Sequence, residues 1–321
     1  MTTTLLATLL VGAAATACTN GDPLDDKQRG NMPPRADSTG DTSAPASPAP
    51  RAASPLAVKI DNVPGARPQT GLDAADVVYA EQVEGGLSRL MAVFATRLPD
   101  AVGPVRSARE SDLELLRQFH EPTLAFSGAQ KKLLPLIDEA PLRTALPEER
   151  ANAYYRGTDK PQPHNLYVRP NRLLASAPGA DALTTGFRYG TAPAGGTAES
   201  TRTVRFPEAR FTFDWSGDRQ RWLVSMDGTP TVTTGGKRVA ASTVVVQYVN
   251  IRTSRYHDYL GNYTPYTETV GSGTAKVLRD GKAFDATWKR PLAKGGTEFT
   301  AADGTPMNFA EGQVWVVFAK A

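Results

Sequence analysis

The chain has 321 residues, 40% of them hydrophobic and 21% charged, which suffices for one large or two ordinary globular domains. Its 36 basic and 33 acidic residues leave a formal net charge of only +3, and so mixed a surface argues against nucleic acid as a partner. The single cysteine excludes a disulfide bond within the chain.

Residues 1–18 are predicted to be a lipoprotein signal peptide. A mostly apolar run from Leu5 to Ala17 leads directly to Cys18, with small residues before the thiol. The run is shorter than the roughly 20 apolar residues that span a bilayer, and it has the length of a signal-peptide core. We therefore predict a lipidated Cys18, although Met1–Thr4 lacks the usual basic residues. The alternative is a secretory signal with an incidental cysteine.

Residues 19–54 are rich in Asp, Ser, Thr, Pro and Ala, and they show no hydrophobic periodicity. Such a composition cannot bury enough apolar surface to fold. This segment is predicted to be a disordered tether between the lipid anchor and the folded part of the protein.

Residues 55–200 are predicted to form a mixed α/β domain. Short apolar runs indicate strands at residues 55–60, 74–80, 87–96 and 123–126. A helix to about Phe119 is indicated because Ser107 and Glu110 fit a capping box and the leucines that follow share one face. A shorter helix is indicated at residues 130–137. Strands that alternate with helices favour an α/β layer, in which ligands bind at the carboxyl ends of strands.

Two short motifs in this region have unusual backbone requirements. Gly85 and Gly86 precede the third strand and would permit backbone angles or close approaches that a side chain blocks. Pro161 and Pro163 stiffen the lead-in to His164 and Asn165, which would be presented from an extended segment.

Residues 201–321 are predicted to form a β-rich antiparallel domain, a sandwich or a partly closed barrel. Short alternating runs are separated by Asp-Gly or Gly-Gly turns, as at Asp227-Gly228 and Gly235-Gly236. All four tryptophans of the chain lie here, and we interpret them as core residues in preference to a glycan-stacking face. The predicted fold class of the whole chain is therefore α+β.

Several separated motifs occur in the order typical of one family. They are Val83–Phe94, Val102–Arg109, Pro163–Tyr167, Leu278–Gly281 and Thr287–Arg290. Together they resemble the YerB-like lipoproteins, which contain the domain of unknown function 3048. The resemblance implies a lipidated, envelope-anchored protein with two conjoined domains, the second rich in β structure. It implies no particular reaction, so no catalytic role is transferred from it.

The candidate ligand-binding residues surround three arginines. A guanidinium binds phosphate or carboxylate in a planar fork, and a helix start after Arg106 would add backbone donors. The alternative is that Arg106 or Arg109 pairs with a nearby carboxylate and only rigidifies the fold. The predicted binding residues are Glu84, Arg89, Arg106, Ser107, Arg109, His164, Asn165 and Tyr167.

The residues leave open whether the protein is an enzyme. His164 could act as a general acid or base with Ser107 or Ser127 nearby, but a loop histidine bonded to backbone is an equal alternative. No metal-binding spacing and no nucleotide-binding or hydrolase motif is found, so we expect no metal and no cofactor.

We predict an extracytoplasmic protein held at the membrane by a lipid on Cys18 only. Its expected partner is an anionic cell-wall polymer or a cell-wall assembly protein, bound in a cleft lined by arginines. An enzyme that transfers or hydrolyses such a polymer is the alternative. A scaffold for wall-synthesis proteins is a third hypothesis, and it would require an exposed apolar patch on the β-rich half.

Overall fold

The computed structural model describes residues 53–258 and 261–321. The predicted signal peptide, with Cys18, and nearly all of the predicted tether lie outside these ranges. No helix in the described part of the chain is long and apolar enough to cross a membrane.

The first part of the chain contributes seven short strands and two helices. The strands are β1 (Leu56–Asp61), β2 (Val77–Gln82), β3 (Ser88–Phe94), β4 (Thr123–Ala125), β5 (Arg143–Ala145), β6 (Tyr154–Arg156) and β7 (Leu166–Val168). The helices are α1 (Glu110–Leu116) and α2 (Leu134–Asp138). Single 3-10 turns occur at Pro64–Ala66, Leu72–Ala74, Glu84–Gly86, Ala151–Ala153, Pro170–Arg172 and Ala180–Ala182.

The described residues from Thr197 onward contribute strands and no helix. They are β8 (Thr197–Ala198), β9 (Thr201–Arg205), β10 (Arg210–Ser216), β11 (Arg221–Met226), β12 (Thr229–Pro230), β13 (Ala240–Ala241), β14 (Thr243–Val249), β15 (Ile251–His257), β16 (Tyr263–Thr267), β17 (Gly271–Arg279), β18 (Lys282–Arg290), β19 (Glu298–Ala301) and β20 (Val314–Lys320).

A large mixed sheet organises the molecule. Its strand order is β19-β18-β17-β14-β20-β2-β3-β1-β4-β5, with β8 paired to β18. The parallel pairing of β20 with both β14 and β2 joins strands from either side of position 200 into one sheet. A smaller sheet has the order β12-β11-β10-β9, with β13 paired to β11, and β6-β7 and β15-β16 form separate hairpins.

The large sheet is covered on both faces. One face packs on the smaller sheet, where Phe211 and Phe213 contact Trp315 of β20 and Trp222 belongs to the same core. The other face packs on α1 and the segments around it, and this core includes Trp288. Three of the four tryptophans are therefore buried, which confirms the interpretation of these three as core residues, and Trp215 packs on the core partly buried.

The fold is mostly β, and it is more β-rich than the predicted α+β class. The predicted N-terminal α/β domain is not confirmed. The two helices are seven and five residues long, because the chain turns after Leu116 and after Asp138. In addition, β3 runs antiparallel to both β1 and β2, whereas a layer of alternating strands and helices would make them parallel.

Candidate functional site

Three charged residues, Asp61, Glu81 and Arg89, occupy neighbouring positions at one end of β1, β2 and β3. Because β3 lies between the other two strands, Arg89 is opposite Asp61 on one side and Glu81 on the other. Residues two apart on a strand share a face, so Lys59 lies on the same face as Asp61. This is the face on which α1 packs, and Lys59, Glu81 and Asp61 are buried there.

Lys59, Glu81 and Asp112 form a fully buried charge cluster. The Lys59 ammonium group donates to Glu81 Oε1 and, at 2.7 Å, to Asp112 Oδ1 of helix α1. Ser111 Oγ donates to Glu81 Oε2 at 3.1 Å. Burial lowers the pKa of Lys59 to about 8, against the opposing effect of Asp112. The cluster ties α1 to β1 and β2 and leaves each of its charges with a partner.

Helix α1 begins differently from the prediction. Its first residue is Glu110, and the backbone N–H of Arg109 donates to Asp112 Oδ2 at 2.6 Å. The predicted capping box of Ser107 with Glu110 is therefore wrong. Glu110 is the first helical residue and accepts a hydrogen bond from Ser254 Oγ of β15 at 2.6 Å.

Arg109 is committed to the fold. Its Nε and Nη2 donate to the two oxygens of Glu84 at 2.7 and 2.8 Å, and its Nη1 donates to the carbonyls of Ser107 and Ala108. Thr264 of β16 also donates to Glu84. Although burial raises the pKa of Glu84, the hydrogen bonds and charge of Arg109 outweigh it, and the pKa lies below its ordinary value. For Arg109, the geometry thus supports the alternative in which the arginine pairs with a nearby carboxylate and rigidifies the fold.

The turn that carries Glu84 depends on its glycines. Gly85 and Gly86 both have positive φ, at 65° and 72°. A Cβ on Gly86 would lie 2.6 Å from Pro207 Cβ, whereas one on Gly85 would meet nothing within 4 Å. The predicted need for glycine here is confirmed, and at Gly86 it includes a close approach of the chain after β9.

Asp61 links Arg106 to His164. Its Oδ2 atom lies 2.8 Å from His164 Nδ1 and 3.2 Å from Arg106 Nε. Asp61 is 1% exposed, while the side chains of Arg106 and His164 are 27% and 24% exposed. The buried Asp61 carboxylate therefore holds an arginine and a histidine whose side chains reach toward solvent.

Arg89 has a different status from its neighbours. Its one hydrogen bond runs from Nη1 to the Ser107 carbonyl at 3.2 Å, and within residues 53–258 and 261–321 it forms no ion pair with a carboxylate. Burial, together with the positive charge of Arg109, lowers the pKa of Arg89 to about 9, so the side chain stays protonated at neutral pH.

These residues surround a cavity of about 480 Å³. Five of the predicted binding residues line it, namely Glu84, Arg89, Arg106, Ser107 and Arg109. Its other polar lining residues are Asp61, Ser88, Gln130 and Asp258, and its apolar lining residues are Val63, Val83, Leu87 and Ala129. The lining thus combines charged residues of both signs with four apolar residues.

The structure does not bring the remaining predicted residues to the cavity wall. The Asn165 side chain accepts a hydrogen bond from Arg156 Nη1 and donates one to the Gly157 carbonyl. The Tyr167 hydroxyl accepts from Lys160 and donates to Asp159. Ser127 donates its backbone N–H to the Arg106 carbonyl at 3.0 Å, but its side chain is not part of the lining. His164 contacts the wall through Asp61.

Sequence reasoning missed several residues of the site. Lys59 has a local signal, because it is a lone charge in the apolar strand Leu56–Ile60. Asp61 and Gln130 have none beyond their polarity, and Thr264 reaches Glu84 from a distant strand. In the described part of the chain, no group of three or more His, Cys, Asp or Glu side chains is placed to hold a metal ion.

Two parts of the chain match one protein family. Residues 39–183 match the N-terminal domain of the family described as "Protein of unknown function (DUF3048)", and residues 202–316 match its C-terminal domain. The chain belongs to the DUF3048 family, which confirms the resemblance of the sequence motifs to the YerB-like proteins.

The relatives are named for a protein of Bacillus subtilis. The chain is 26% identical over 285 residues to the protein of Bacillus subtilis (strain 168) named "Putative lipoprotein YerB", across 82% of this chain and 80% of that protein. The crystal structure of the YerB protein from Bacillus subtilis matches with a TM-score of 0.68 at 21% sequence identity, covering 84% of this chain and 91% of that chain. At this identity the likeness establishes the fold.

Proposed function

We propose that this protein is a cell-envelope lipoprotein that binds an anionic envelope polymer in the cavity beside Arg89. The observation that carries the proposal is the state of Arg89, a charged guanidinium on a cavity wall with no carboxylate paired to it in the described residues. A guanidinium has five N–H donors, and Arg89 uses one of them on protein.

Arg106 supports the same binding mode. It lines the cavity, and its side chain is partly exposed although Nε lies near Asp61. Arg109 lines the cavity as well, but its four hydrogen bonds go to the Glu84 carboxylate and to two backbone carbonyls. We therefore assign ligand contact to Arg89 and Arg106, and we assign Arg109 to positioning the turn at Glu84.

The membrane location in this proposal rests on Cys18 and on the lipoprotein name of the Bacillus subtilis relative. A lipid on Cys18 would hold the folded part outside the cell membrane through the tether. We expect Cys18→Ala to release the protein from the membrane fraction of cells. If the variant still sediments with membranes at high salt, the lipoprotein assignment is wrong.

The binding proposal is tested with soluble polymers of known chemistry. The full chain carrying Cys18→Ala is titrated with poly(glycerol phosphate) and with polyglucuronate, in parallel with Arg89→Gln and Arg106→Gln. We expect each variant to lose about tenfold or more in affinity, which corresponds to about 1.4 kcal/mol. Arg143→Gln, an exposed arginine away from the cavity, is the matched control. Unchanged affinity in folded Arg89→Gln and Arg106→Gln would refute the proposal.

An envelope-assembly protein is the other ligand of this proposal. A pull-down from a cross-linked envelope fraction separates the two, because the full chain would retain polymer in one case and protein in the other. Arg89→Gln serves as the second bait. A protein retained by both baits does not occupy the cavity.

A second function is favoured by one contact. Asp61 Oδ2 lies 2.8 Å from His164 Nδ1, which is how a carboxylate orients a histidine that acts as a general base. Ser107 lines the cavity, but no serine hydroxyl of the described residues is hydrogen-bonded to His164. If the protein transfers or hydrolyses a polymer, His164→Gln and Ser107→Ala should each abolish a change in chain length that wild type causes. An unchanged length with wild type would exclude this function for the polymer tested.

A further inference from the structure

We infer that the group bound in the cavity is a singly charged phosphodiester, one repeat unit of a phosphate-containing polymer. This inference rests on the proposed anion binding and adds the chemical class of the ligand. It follows from the balance of charge on the lining, from the separate parts of the chain that supply its spare donors and from its apolar residues.

The charge balance favours one negative charge on the ligand. Three arginines line the cavity together with the carboxylates of Asp61, Glu84 and Asp258, so the lining has no formal surplus of positive charge. A phosphomonoester carries about −1.5 to −2 at neutral pH and would leave charge uncompensated. A phosphodiester carries a single charge, the smallest that a phosphate ester brings to a lining without positive surplus, and that charge can lie beside the Arg89 guanidinium, which forms no ion pair among the described residues.

The spare donors come from three separate parts of the chain. Arg89 belongs to β3, Arg106 to the segment before α1, and Gln130 to the loop between β4 and α2. The side-chain Nε2 of Gln130 is buried and has no hydrogen-bond partner among the described residues. A buried N–H without an acceptor is unfavourable, so a ligand oxygen at this point would satisfy it.

This distribution of donors fits a tetrahedral anion better than a planar one. A carboxylate presents two oxygens in one plane and is matched by a single guanidinium fork. A phosphodiester presents two charged oxygens and two ester oxygens in different directions, so it offers acceptors to donors from three separate parts of the chain.

The apolar part of the lining fits the substituents of the phosphate. Val63, Val83, Leu87 and Ala129 complete the cavity wall and offer no donor from their side chains. The volume of about 480 Å³ lies within the range of small-molecule sites, which is enough for one phosphate with two short uncharged arms. A polymer would therefore be bound one unit at a time.

The test is a calorimetric titration of the full chain carrying Cys18→Ala with three small probes. These are the diester bis(glycerol) phosphate, the monoester glycerol 3-phosphate and the carboxylate glycerate. We expect the diester to bind about tenfold or more tightly than either of the others. Gln130→Glu, a nearly isosteric change from donor to anion, should abolish diester binding, and the exposed change Gln220→Glu should leave it intact.

Each other result overturns the inference. Tighter binding of glycerate or of glycerol 3-phosphate would exclude a diester, and so would diester binding that Gln130→Glu does not weaken while circular dichroism confirms its fold. If glycerate binds through Arg89, the phosphodiester class fails while the proposed anion binding stands. If no probe binds and neither polymer binds, both fail together.

Discussion

Two groups of charges lie close together on the same face of the sheet, and they differ in how they are compensated. In the buried cluster of Lys59, Glu81 and Asp112, every charge has an opposite partner inside the protein. On the cavity wall, Arg89 forms no ion pair with a carboxylate among the described residues, although the charges of Asp61 and Glu84 favour its protonated form against the cost of burial. The cluster thus stabilises the fold, whereas Arg89 keeps its donors for a ligand.

Arg106 and Arg109 make the same point within one short motif. They are three residues apart, and both line the cavity. Arg109 is paired with Glu84 through two hydrogen bonds, while Arg106 shares Asp61 with His164 and stays partly exposed. Position in the sequence does not separate their roles, because the difference is set by which carboxylate the fold brings beside each.

Removing the cation of the buried cluster should have the largest effect. Lys59→Met leaves Glu81 and Asp112 buried without their partner, and such a loss costs about 3–5 kcal/mol. The free energy of unfolding from urea titration measures it. Arg143→Met is the control, because its pair with Glu121 is about half exposed and should contribute less than about 1 kcal/mol. A Lys59→Met variant as stable as this control would contradict a structural role for the cluster.

Breaking the pair of Glu84 with Arg109 should have the next largest effect, and it should depend on pH. The pKa of Glu84 is lower in the folded protein, so its contribution is present at neutral pH and is lost as the pH falls through that value. We expect Glu84→Gln to lose about 1.5–3 kcal/mol at pH 7, as for a hydrogen bond to a charged group. In urea titrations across the acidic range, the difference in the free energy of unfolding between wild type and Glu84→Gln should shrink as the pH falls. A difference that stays constant would be inconsistent with this pair.

A smaller difference in the free energy of unfolding should separate alanine substitutions at the two glycines of the turn, Gly85 and Gly86. Both have positive φ, so alanine costs about 1–2 kcal/mol at either position. Gly86→Ala should cost about 1 kcal/mol more than Gly85→Ala, because only its Cβ would clash with Pro207. Equal losses in urea titrations would mean that the approach of Pro207 does not constrain the turn.

The smallest effect on stability is expected at Arg89. Because burial disfavours its charge and no carboxylate is paired with it, Arg89→Gln should change the free energy of unfolding by less than about 1 kcal/mol. A loss above about 2 kcal/mol would place Arg89 with the structural charges, and the contrast with the buried cluster would disappear.

Much of the site was predictable because it is local in sequence. Glu84, Arg89, Arg106, Ser107 and Arg109 lie within one short segment, which contains the turn between β2 and β3 and the lead-in to α1. Residues that line the cavity or bond to its lining from elsewhere in the chain depend on the pairing of distant strands. Asp61 arrives through the register of β1 with β3, and Thr264 arrives through the hairpin of β15 and β16.

The errors have physical causes of the same kind. Asn165 and Tyr167 follow His164 directly, but their side chains bond to Arg156, Asp159 and Lys160 of the neighbouring segment. The alternating apolar and polar residues after position 200 indicated strands, yet they did not indicate that the whole fold is more β-rich than the predicted α+β class. The placement of β20 between β14 and β2 depends on contacts between distant parts of the chain, which no local pattern reports.

The most direct test of the account is the affinity of Arg89→Gln for poly(glycerol phosphate), measured by titration beside wild type and Arg143→Gln. We expect Arg89→Gln to bind about tenfold or more weakly than wild type and Arg143→Gln to bind as wild type does, with both variants as stable as the parent. Wild-type affinity in a folded Arg89→Gln variant would contradict the claim that this arginine binds the ligand.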